Sequence, residues 1–367
     1  MKNIVNLGNV ATYINGYAFK PSDWAEDGTP IIRIQDLTGN SYQMNRFKGI
    51  VDSKYDVNSG DVLISWSASL GVYVWNRGNA VLNQHIFKVV FDKEEVDKDF
   101  FVFQIDNLLK RAANQAHGAT MRHLTKPVFD ALPFYLPDIK TQRLISSKLN
   151  LIVHLIEDHH EQLKKLDELI RSRFLEMFGM SEGIDKHLED VADICSGITK
   201  GRKVLGLELR EVPYMAVSNV KMGYIDLSTV KTIMATENEI EQYRLFPNDI
   251  LMTEGGDPDK VGRGAIIRNP PKDCIHQNHI FRVRLHKDVL LPEFFEEYLQ
   301  GNSARRYFLK AAKQTTGIAS INMKQLRALP VKIPPIKVQI QYSDFVHQVD
   351  KSKLAVQKSL DELETLK

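Results

Sequence analysis

LPFYLPDIKTQ at residues 132–142 recurs as LPVKIPPIKVQ at residues 329–339, which lies 197 residues further along the chain. Each copy has the pattern of a short strand bounded by prolines and followed by the first turn of a helix. The copies share Leu-Pro, the second proline, Ile-Lys and the final glutamine at the same spacing. This stretch predicts a chain built twice on one plan.

Further matches extend the repeat towards the start of each copy in the same order, with offsets of 181, 188, 194 and 199 residues before the 197 of the closing stretch. The matching pairs are LGNVA with Gly16 (7–11) and LEDVA with Gly197 (188–192), VNSGDVL (57–63) and LFPNDIL (245–251), HIF (85–87) and HIF (279–281), and Gly118 and Gly317. A period near 190 is too long for a solenoid, and each copy is large enough to bury a core of its own. We infer a tandem duplication with small loop insertions in the second copy.

Short apolar runs between turns predict strands in each copy, and longer segments predict helices. Strands are expected at 62–65, 72–75 and 87–91, with counterparts at 250–253, 264–267 and 281–285, and helices at Asp99–Ala116 and Pro292–Lys313. The predicted fold class is α/β, in the sense of mixed α+β. The predicted boundaries are 1–136, 137–180, 181–333 and 334–367.

The segments 137–180 and 334–367 predict long helices with a heptad stripe. The stripes are Ile145, Leu149, Ile152, Ile156, His159, Leu163, Leu166, Ile170, Arg173 and Met177 in the first, and Val346, Val349, Lys353, Val356, Leu360 and Leu363 in the second. We expect the two helices to pair as a coiled coil, with His159 and Arg173 fixing their register. The alternative is that each helix packs only on its own module.

Composition excludes several classes of protein. Of 367 residues, 43% are hydrophobic and 26% are charged, as in an ordinary globular protein, and the net charge is +2. The two cysteines, Cys195 and Cys274, fit a reducing cytoplasm and are expected to be structural. We expect neither a signal peptide nor a membrane span.

Charge is balanced in each of the four predicted segments. In chain order they contain 14, 7, 22 and 5 lysines plus arginines, and 14, 7, 20 and 5 aspartates plus glutamates. Any nucleic-acid surface must therefore be a local patch.

Candidate catalytic motifs are incomplete. NPPK at 269–272 lacks the aromatic residue of an amino-methyltransferase motif, and PDK at 258–260 lacks the second acid–lysine pair of a nuclease site. EGGD at 254–257 is not a phosphate-binding P-loop. No catalytic residue and no metal ligand is assigned.

The ordered motifs make nearly the whole chain resemble the specificity subunit of type I restriction–modification systems. The resemblance rests on Leu7 to Gly16, PIIRIQDL (30–37) and PYMAVSNV (213–220), GDVLIS (60–65) with Gly71, NQHI (83–86), and Gly118, Leu124, Leu132, Pro137 and Gln142 before the helix with Leu163, Leu166 and Leu169. The sequence departs from the pattern at Asn248, where the first copy has Gly60, and in a second helix that stops short of the counterpart of Phe178.

The resemblance implies two target recognition domains, each reading one half of an asymmetric bipartite site in double-stranded DNA. The long helices would form an antiparallel, pseudo-two-fold spacer that docks two modification methyltransferase subunits. S-adenosylmethionine, ATP and Mg would belong to those subunits and to the restriction and translocase subunits, and this chain would carry no cofactor and no catalytic activity.

Position in the repeat and side-chain chemistry select the candidate DNA contacts, which lie in three pairs of loops. They are Lys20, Ser65, Trp66, Ser67, Ser69, Thr120, Arg122 and His123 in the first copy, and Lys200, Arg202, Lys203, Thr253, Glu254, Lys260, Arg263, Ser320, Asn322 and Lys324 in the second. Arg305, Arg306, Lys310 and Lys313 fit a phosphate-facing stripe and a solvated face equally well. His85 and His279 are expected to be structural.

Two other functions stay open on the sequence alone. One is a stand-alone two-module DNA-binding regulator or scaffold, and the other is a cryptic methyltransferase.

If each module reads its own half-site, replacing residues 185–333 by the matching domain of another family member should change one half of the methylated motif and leave the other intact. Methylome sequencing of cells that express the chimaera with its modification subunit measures both halves at once. A change in both halves would contradict independent reading.

Overall fold

The computed structural model describes residues 3–115, 125–179, 183–203, 206, 208–257, 261–315 and 318–366. The chain divides into two compact units, Met1–Ile156 with Leu366–Lys367, and Glu157–Thr365.

The first unit mixes short strands and helices, as predicted. Its strands are β1 (Ile4–Asn6), β2 (Thr12–Asn15), β3 (Trp24–Ala25), β4 (Thr29–Ile32), β5 (Arg46–Phe47), β6 (Asp56–Val57), β7 (Val62–Ser65), β8 (Gly71–Val74), β9 (Ala80–Leu82), β10 (Ile86–Val90) and β11 (Pro133–Tyr135). Its helices are α1 (Ile34–Leu37), α2 (Lys98–Gln115) and α3 (Lys126–Asp130), and the long helix α4 (Ile139–Phe178) begins in this unit.

The second unit repeats this order with additions. Its strands are β12 (Ile184–His187), β13 (Ala192–Ser196), β14 (Arg210–Met215), β15 (Lys231–Ala235), β16 (Asp249–Thr253), β17 (Gly255–Gly256), β18 (Gly264–Ile267), β19 (Ile275–His276), β20 (Ile280–Leu285), β21 (Lys313–Thr315), β22 (Ile318–Ser320) and β23 (Pro330–Ile333). Its helices are α5 (Glu237–Tyr243), α6 (Pro292–Gln300), α7 (Asn302–Ala311), α8 (Met323–Arg327) and α9 (Ile336–Leu366).

In the four-stranded and two-stranded sheets, equivalent strands have the same neighbours in both units, which confirms the duplication. The four-stranded sheets have the orders β2-β10-β7-β8 and β13-β20-β16-β18, with antiparallel neighbours. The pairs β1-β11 and β12-β23 form two-stranded sheets, and the parallel pair β4·β9 corresponds to β14·β19.

The central strands β7 and β16 are apolar because both of their faces are covered. Val62 and Ile64 belong to the core that contains α2, whereas Leu63 belongs to the core on the other face. In the second unit Ile250 and Met252 likewise face one core and Leu251 the other. Side chains alternate along a strand, so a continuous apolar run supplies both cores.

The turn before each central strand explains the departure at Asn248. Gly60 and Asn248 have positive φ angles of 100° and 74°. Asparagine enters this left-handed region more readily than most residues with a side chain, and it therefore substitutes for glycine here. In both turns the following aspartate, Asp61 or Asp249, accepts a hydrogen bond from the backbone N–H three residues before it.

Gly16 and Gly197 are required at equivalent positions by a close approach of two backbone segments. A Cβ atom on Gly16 would lie 2.1 Å from the carbonyl oxygen of Asn83, and one on Gly197 would lie 1.9 Å from that of His276. No side chain fits at either position, so the glycine of the repeated motif is a steric requirement.

Gln142, the last residue of the repeated stretch, is buried in the first turn of α4. Its Nε2 donates to the carbonyl oxygens of Pro137, at 2.8 Å, and Glu95, at 3.3 Å, while its Oε1 accepts from the N–H of Asp97 at 2.9 Å. The helix is thereby joined to the backbone that leads into α2.

Gln339 makes the same three hydrogen bonds in the second unit. Its Nε2 donates to the carbonyl oxygens of Pro334, at 2.8 Å, and Val289, at 3.0 Å, and its Oε1 accepts from the N–H of Leu291 at 2.9 Å. Each long helix therefore leaves its own module through one buried amide.

Within Glu157–Thr365 the two long helices contact each other. His159 Nε2 lies 3.1 Å from Ser359 Oγ, and Lys353 Nζ donates to Asp167 at 2.6 Å. Nearer the end of α4, the ring of Phe174 packs against Tyr342, with the ring centroids 5.5 Å apart. Residue numbers rise along α4 as they fall along α9, so the helices are antiparallel where they touch. Supercoiling as a coiled coil stays a prediction.

None of the residues of the predicted heptad stripes is exposed. All ten stripe residues of α4 are half-buried, and Val346, Val349 and Leu360 of α9 are buried. Two features of α4 show that it also packs on the modules. Ile145 packs against the core of the first unit, and Phe174 and Phe178 pack against that of the second.

The single helix predicted over Pro292–Lys313 is wrong. The chain forms two helices, α6 and α7, separated by Gly301, which has an extended conformation with φ −75° and ψ 161°. Lys313 lies in strand β21. The apolar periodicity of the sequence continues from α6 into α7, so it gave no sign of the break at Gly301.

Gln339→Met should destabilise the second unit by about 1–3 kcal/mol, because it leaves the buried N–H of Leu291 and two carbonyl oxygens without their partner. Urea unfolding measures the loss. Gln341→Met, at an exposed position of the same helix, is the matched control. Equal stability of the two variants would show that the buried amide does not hold the helix.

Candidate nucleic-acid interface

The end of β7 and the loop after it hold four of the predicted contacts, and two of them conflict with the structure. Ser65 is fully buried and Ser67 is 5% exposed. The Ser65 hydroxyl donates to the carbonyl oxygen of Ser67 at 3.2 Å. The Ser65 hydroxyl stabilises the loop from inside, and both side chains are buried where a duplex does not reach them. Ser69 is exposed beside Ala68, at the tip of the loop.

Trp66 is half-buried in an aromatic cluster. Its indole N–H donates to Asn15 Oδ1 at 3.1 Å, and its ring stacks on Phe87, with centroids 5.6 Å apart. The edge of His85 lies against it, with centroids 5.0 Å apart. The tryptophan therefore presents part of a ring that its neighbours hold rigidly.

The equivalent loop of the second unit has different side chains on the same backbone. The N–H of Glu254 donates to the carbonyl oxygen of His279, as that of Trp66 does to His85. Glu254 Oε2 lies 2.5 Å from His279 Nδ1. Thr253 is fully buried, so its predicted contact also conflicts with the structure.

Strands β17, β22 and β21 bring two of the predicted loops together. Gly255 is paired with Ser320, and Ser320 is paired with Lys313, so the three residues form one row across the sheet. The N–H of Ile321 donates to the carbonyl oxygen of Glu254 at 2.8 Å. Glu254, the strands β17, β22 and β21, and Ile321 therefore lie on one surface, which we call the β17–β22 surface.

The basic turn at residues 200–203 is only partly available for contacts. Lys200 and Lys203 are exposed. Arg202 instead forms a bidentate ion pair with Glu239, at 2.5 Å for both contacts, and donates to the carbonyl oxygen of Met234. This hydrogen bonding lowers the pKa of Glu239 to about 2. Arg202 therefore stabilises the fold. Because its guanidinium is already paired with Glu239, its predicted contact with DNA conflicts with the structure.

The remaining described candidates differ in their exposure and in their hydrogen-bond partners. Asn322 is exposed, and its Oδ1 accepts from the N–H of Gln325, as the N-cap of α8. Arg263 is half-buried, and its carbonyl oxygen accepts from Thr253. Lys20 and Lys324 are exposed. The other candidates, Thr120, Arg122, His123 and Lys260, lie outside the described residues, as do the motif residues Gly118, Leu124 and Gly317.

One basic region escaped the charge counts over long segments. Residues 298–343 contain eight lysines and arginines and neither aspartate nor glutamate. Of these, Arg305, Arg306 and Lys310 on α7 are exposed, as are Lys313 and the two basic residues of α8. Counting over a 46-residue window would have found this region. The region includes β21 and β22 of the β17–β22 surface, and an excess of lysine and arginine of this kind attracts phosphates.

The two thiols have environments that make them unreactive. Burial raises the pKa of Cys274 to about 12 and also raises the pKa of Cys195. Reactive cysteines have lowered pKa values because the thiolate is the nucleophile. Among the described residues, no His, Cys, Asp or Glu cluster is arranged to hold a metal ion, and no helix is both long and apolar enough to span a membrane.

The model of the type I restriction modification DNA specificity domain matches this chain twice, at residues 2–168 and 182–365. The two matches cover most of the sequence and follow the repeat.

Proteins of known identity are similar along most of the chain. The EcoBI specificity subunit of a type I restriction enzyme from Escherichia coli is 22% identical over 379 residues, which cover 94% of this chain and 78% of that protein. The EcoKI specificity subunit from Escherichia coli strain K12 is 21% identical over 387 residues, with 94% and 81% covered.

Solved structures share the fold. A chain from a structural study of complex assembly and conformational transition of the type I R-M system has a TM-score of 0.61 at 15% identity, with 99% of this chain and 95% of that chain covered. The S subunit of the type I restriction-modification system from M. genitalium has a TM-score of 0.52 at 13% identity, with 100% and 94% covered.

Residues 298–343, which we call the acid-free region, contain no aspartate or glutamate. If this region binds phosphates, the triple variant Arg305→Ala, Lys310→Ala, Lys313→Ala should bind duplex DNA more weakly and with a smaller dependence on salt. The slope of log K against log salt should fall by about 0.9 for each phosphate that the variant no longer neutralises. Fluorescence anisotropy with a non-specific duplex across a salt series measures the slope. Lys287→Ala, an exposed lysine outside the region, is the control, and equal slopes for both variants would identify α7 as an ordinary solvated face.

Proposed function

Because the chain belongs to the type I restriction modification DNA specificity family, we propose that it is the sequence-reading subunit of a type I restriction–modification complex. Each module would read one half of a bipartite site in double-stranded DNA. The observation that supports this most strongly is the double family match over two units of the same topology.

The two half-sites should differ, because the modules share a framework and differ in their loops. The first unit has Trp66 where the second has Glu254, and these side chains offer a base different chemistry. Phosphate contacts by exposed lysines and arginines would supply affinity, and base contacts would supply specificity.

The long helices would set the gap between the half-sites and dock two methyltransferase subunits. Their antiparallel contacts within Glu157–Thr365 support the first role. For the second role, the docked subunits would contact exposed leucines on both helices. These are Leu144, Leu151, Leu169 and Leu175 on α4 and Leu354 and Leu366 on α9.

Catalysis would belong to the partner subunits. Modification subunits would bring S-adenosylmethionine and transfer the methyl group, and restriction subunits would use ATP and Mg for translocation and cleavage. This chain would act in the cytoplasm and select where the chemistry occurs.

Co-purification tests the proposal against the two alternatives. The tagged chain is expressed in its native cell and isolated under mild conditions. Recovery of a large methyltransferase partner is the expected result. Sequence-specific DNA binding by the chain without any such partner would favour a stand-alone regulator, and binding of S-adenosylmethionine by the isolated chain would favour a methyltransferase.

The spacer role predicts the effect of a longer helix. Four residues added between Leu163 and Arg171 lengthen α4 by about 6 Å, which corresponds to one or two base pairs at about 3.4 Å each. The addition rotates the remainder of the helix by roughly 40°, close to the twist of one base pair. The gap in the methylated motif should grow by one or two base pairs while both half-sites keep their sequence.

Methylome sequencing of the insertion variant measures the gap. The length-preserving variant Lys164→Ala, Glu168→Ala, at exposed positions of the same segment, should keep the original gap. An active insertion variant with the original gap would show that the helices do not set it.

A further inference from the structure

Glu254 is a carboxylate beside a segment that is rich in lysine and arginine. Strand β17, which follows Glu254, is paired with β22. Strand β22 belongs to the segment 298–343, which contains no acidic residue. Exposed Lys313 lies two strands away from Gly255, in the same row. On a surface that faces phosphates, a carboxylate is repelled unless it meets a hydrogen-bond donor. The negative charge of Glu254 therefore restricts it to contacts with hydrogen-bond donors.

The position of Glu254 is fixed from three directions. Its N–H donates to the carbonyl oxygen of His279 at 3.0 Å, and its carbonyl oxygen accepts from Ile321 at 2.8 Å. His279 Nδ1 holds the side chain through Oε2 at 2.5 Å. Among the described residues Oε1 has no hydrogen-bond donor, and 35% of the side chain is exposed. One acceptor oxygen is thus preorganised and accessible.

The space in front of this carboxylate is an open concavity. Val217, Glu254, Gly255, His279 and Ser320 line it. Gly255 adds no side chain that would fill the space. A planar group can therefore approach the carboxylate from solvent.

The chemistry of the base edges selects the group that Glu254 can accept. In the major groove guanine presents only acceptors, N7 and O6, and thymine presents the acceptor O4 and a methyl group. Adenine presents its N6 amine next to the acceptor N7, whereas cytosine presents the N4 amine without an adjacent acceptor. A carboxylate has acceptors only, so cytosine is the base that it repels least and binds best.

We propose that Glu254, oriented by His279, is a specificity-determining residue that accepts a hydrogen bond from the N4 amine of a cytosine in the half-site of the second module. The inference rests on the proposed function and extends it to one base. The first module has Trp66 at the equivalent position, so its half-site carries no such requirement there.

The isosteric variant Glu254→Gln tests the assignment, because a glutamine amide both donates and accepts. Methylome sequencing of cells that express the variant with its modification subunits should show one position of one half-site changing from cytosine to a degenerate or adenine-containing position. The other half-site should be unchanged, and it reports at the same time that the complex is folded and assembled. In duplex binding, discrimination for cytosine at that position should fall by at most roughly 5- to 150-fold, the range that one mismatched base pair usually costs.

Glu241→Gln, at an exposed position on α5 of the same unit, is the matched control and should keep the wild-type motif. An unchanged motif with Glu254→Gln would overturn the inference, and so would a change at a base other than cytosine. The measurement separates this failure from that of the proposed function. A wild-type chain that directs no methylation with its partners would contradict both proposals. A wild-type chain that directs methylation to a motif that Glu254→Gln leaves unchanged would contradict only the role of Glu254.

Discussion

A buried glutamine amide joins each module to its long helix, and the use of this fold as a DNA reader depends on that joint. Gln142 and Gln339 each bond to three backbone groups, which lie on the segment before the helix and on the turn into α2 or α6. An amide buried without partners would be costly, so the three bonds determine how the helix leaves the module. Within one module, the loops after the central strand consequently have a defined direction relative to the helix.

The same framework allows the contact loops to diverge. Gly16 and Gly197 allow two backbone segments to meet, and Gly60 and Asn248 turn the chain into the central strand. These positions are constrained by backbone geometry and therefore repeat. The side chains just after the central strand lie beyond these constraints, and there the two modules differ. A duplicated scaffold with different loops is suited to a site whose halves have different sequences.

Much of the fold could be predicted from the sequence, since heptad spacing and collinear motifs directly reflect burial. The half-buried stripe of α4 follows the predicted 3-4 spacing. The interface was less predictable, because residue type does not reveal orientation or distant partners. Ser65 and Thr253 suggested contacts by their hydroxyls but lie inside the central strands. Arg202 is engaged by Glu239, which lies 37 residues away. The acid-free region disappeared in counts that averaged it with an acidic neighbouring segment.

The central claim is that two modules of one chain read two different sequences in a single site. Methylome sequencing of cells that express the wild-type chain with its modification subunits, compared with cells that lack the chain, tests it most directly. The account predicts one asymmetric motif, with two specified half-sites separated by a gap of fixed length in which any base is allowed. A continuous motif, or two identical half-sites, would contradict it.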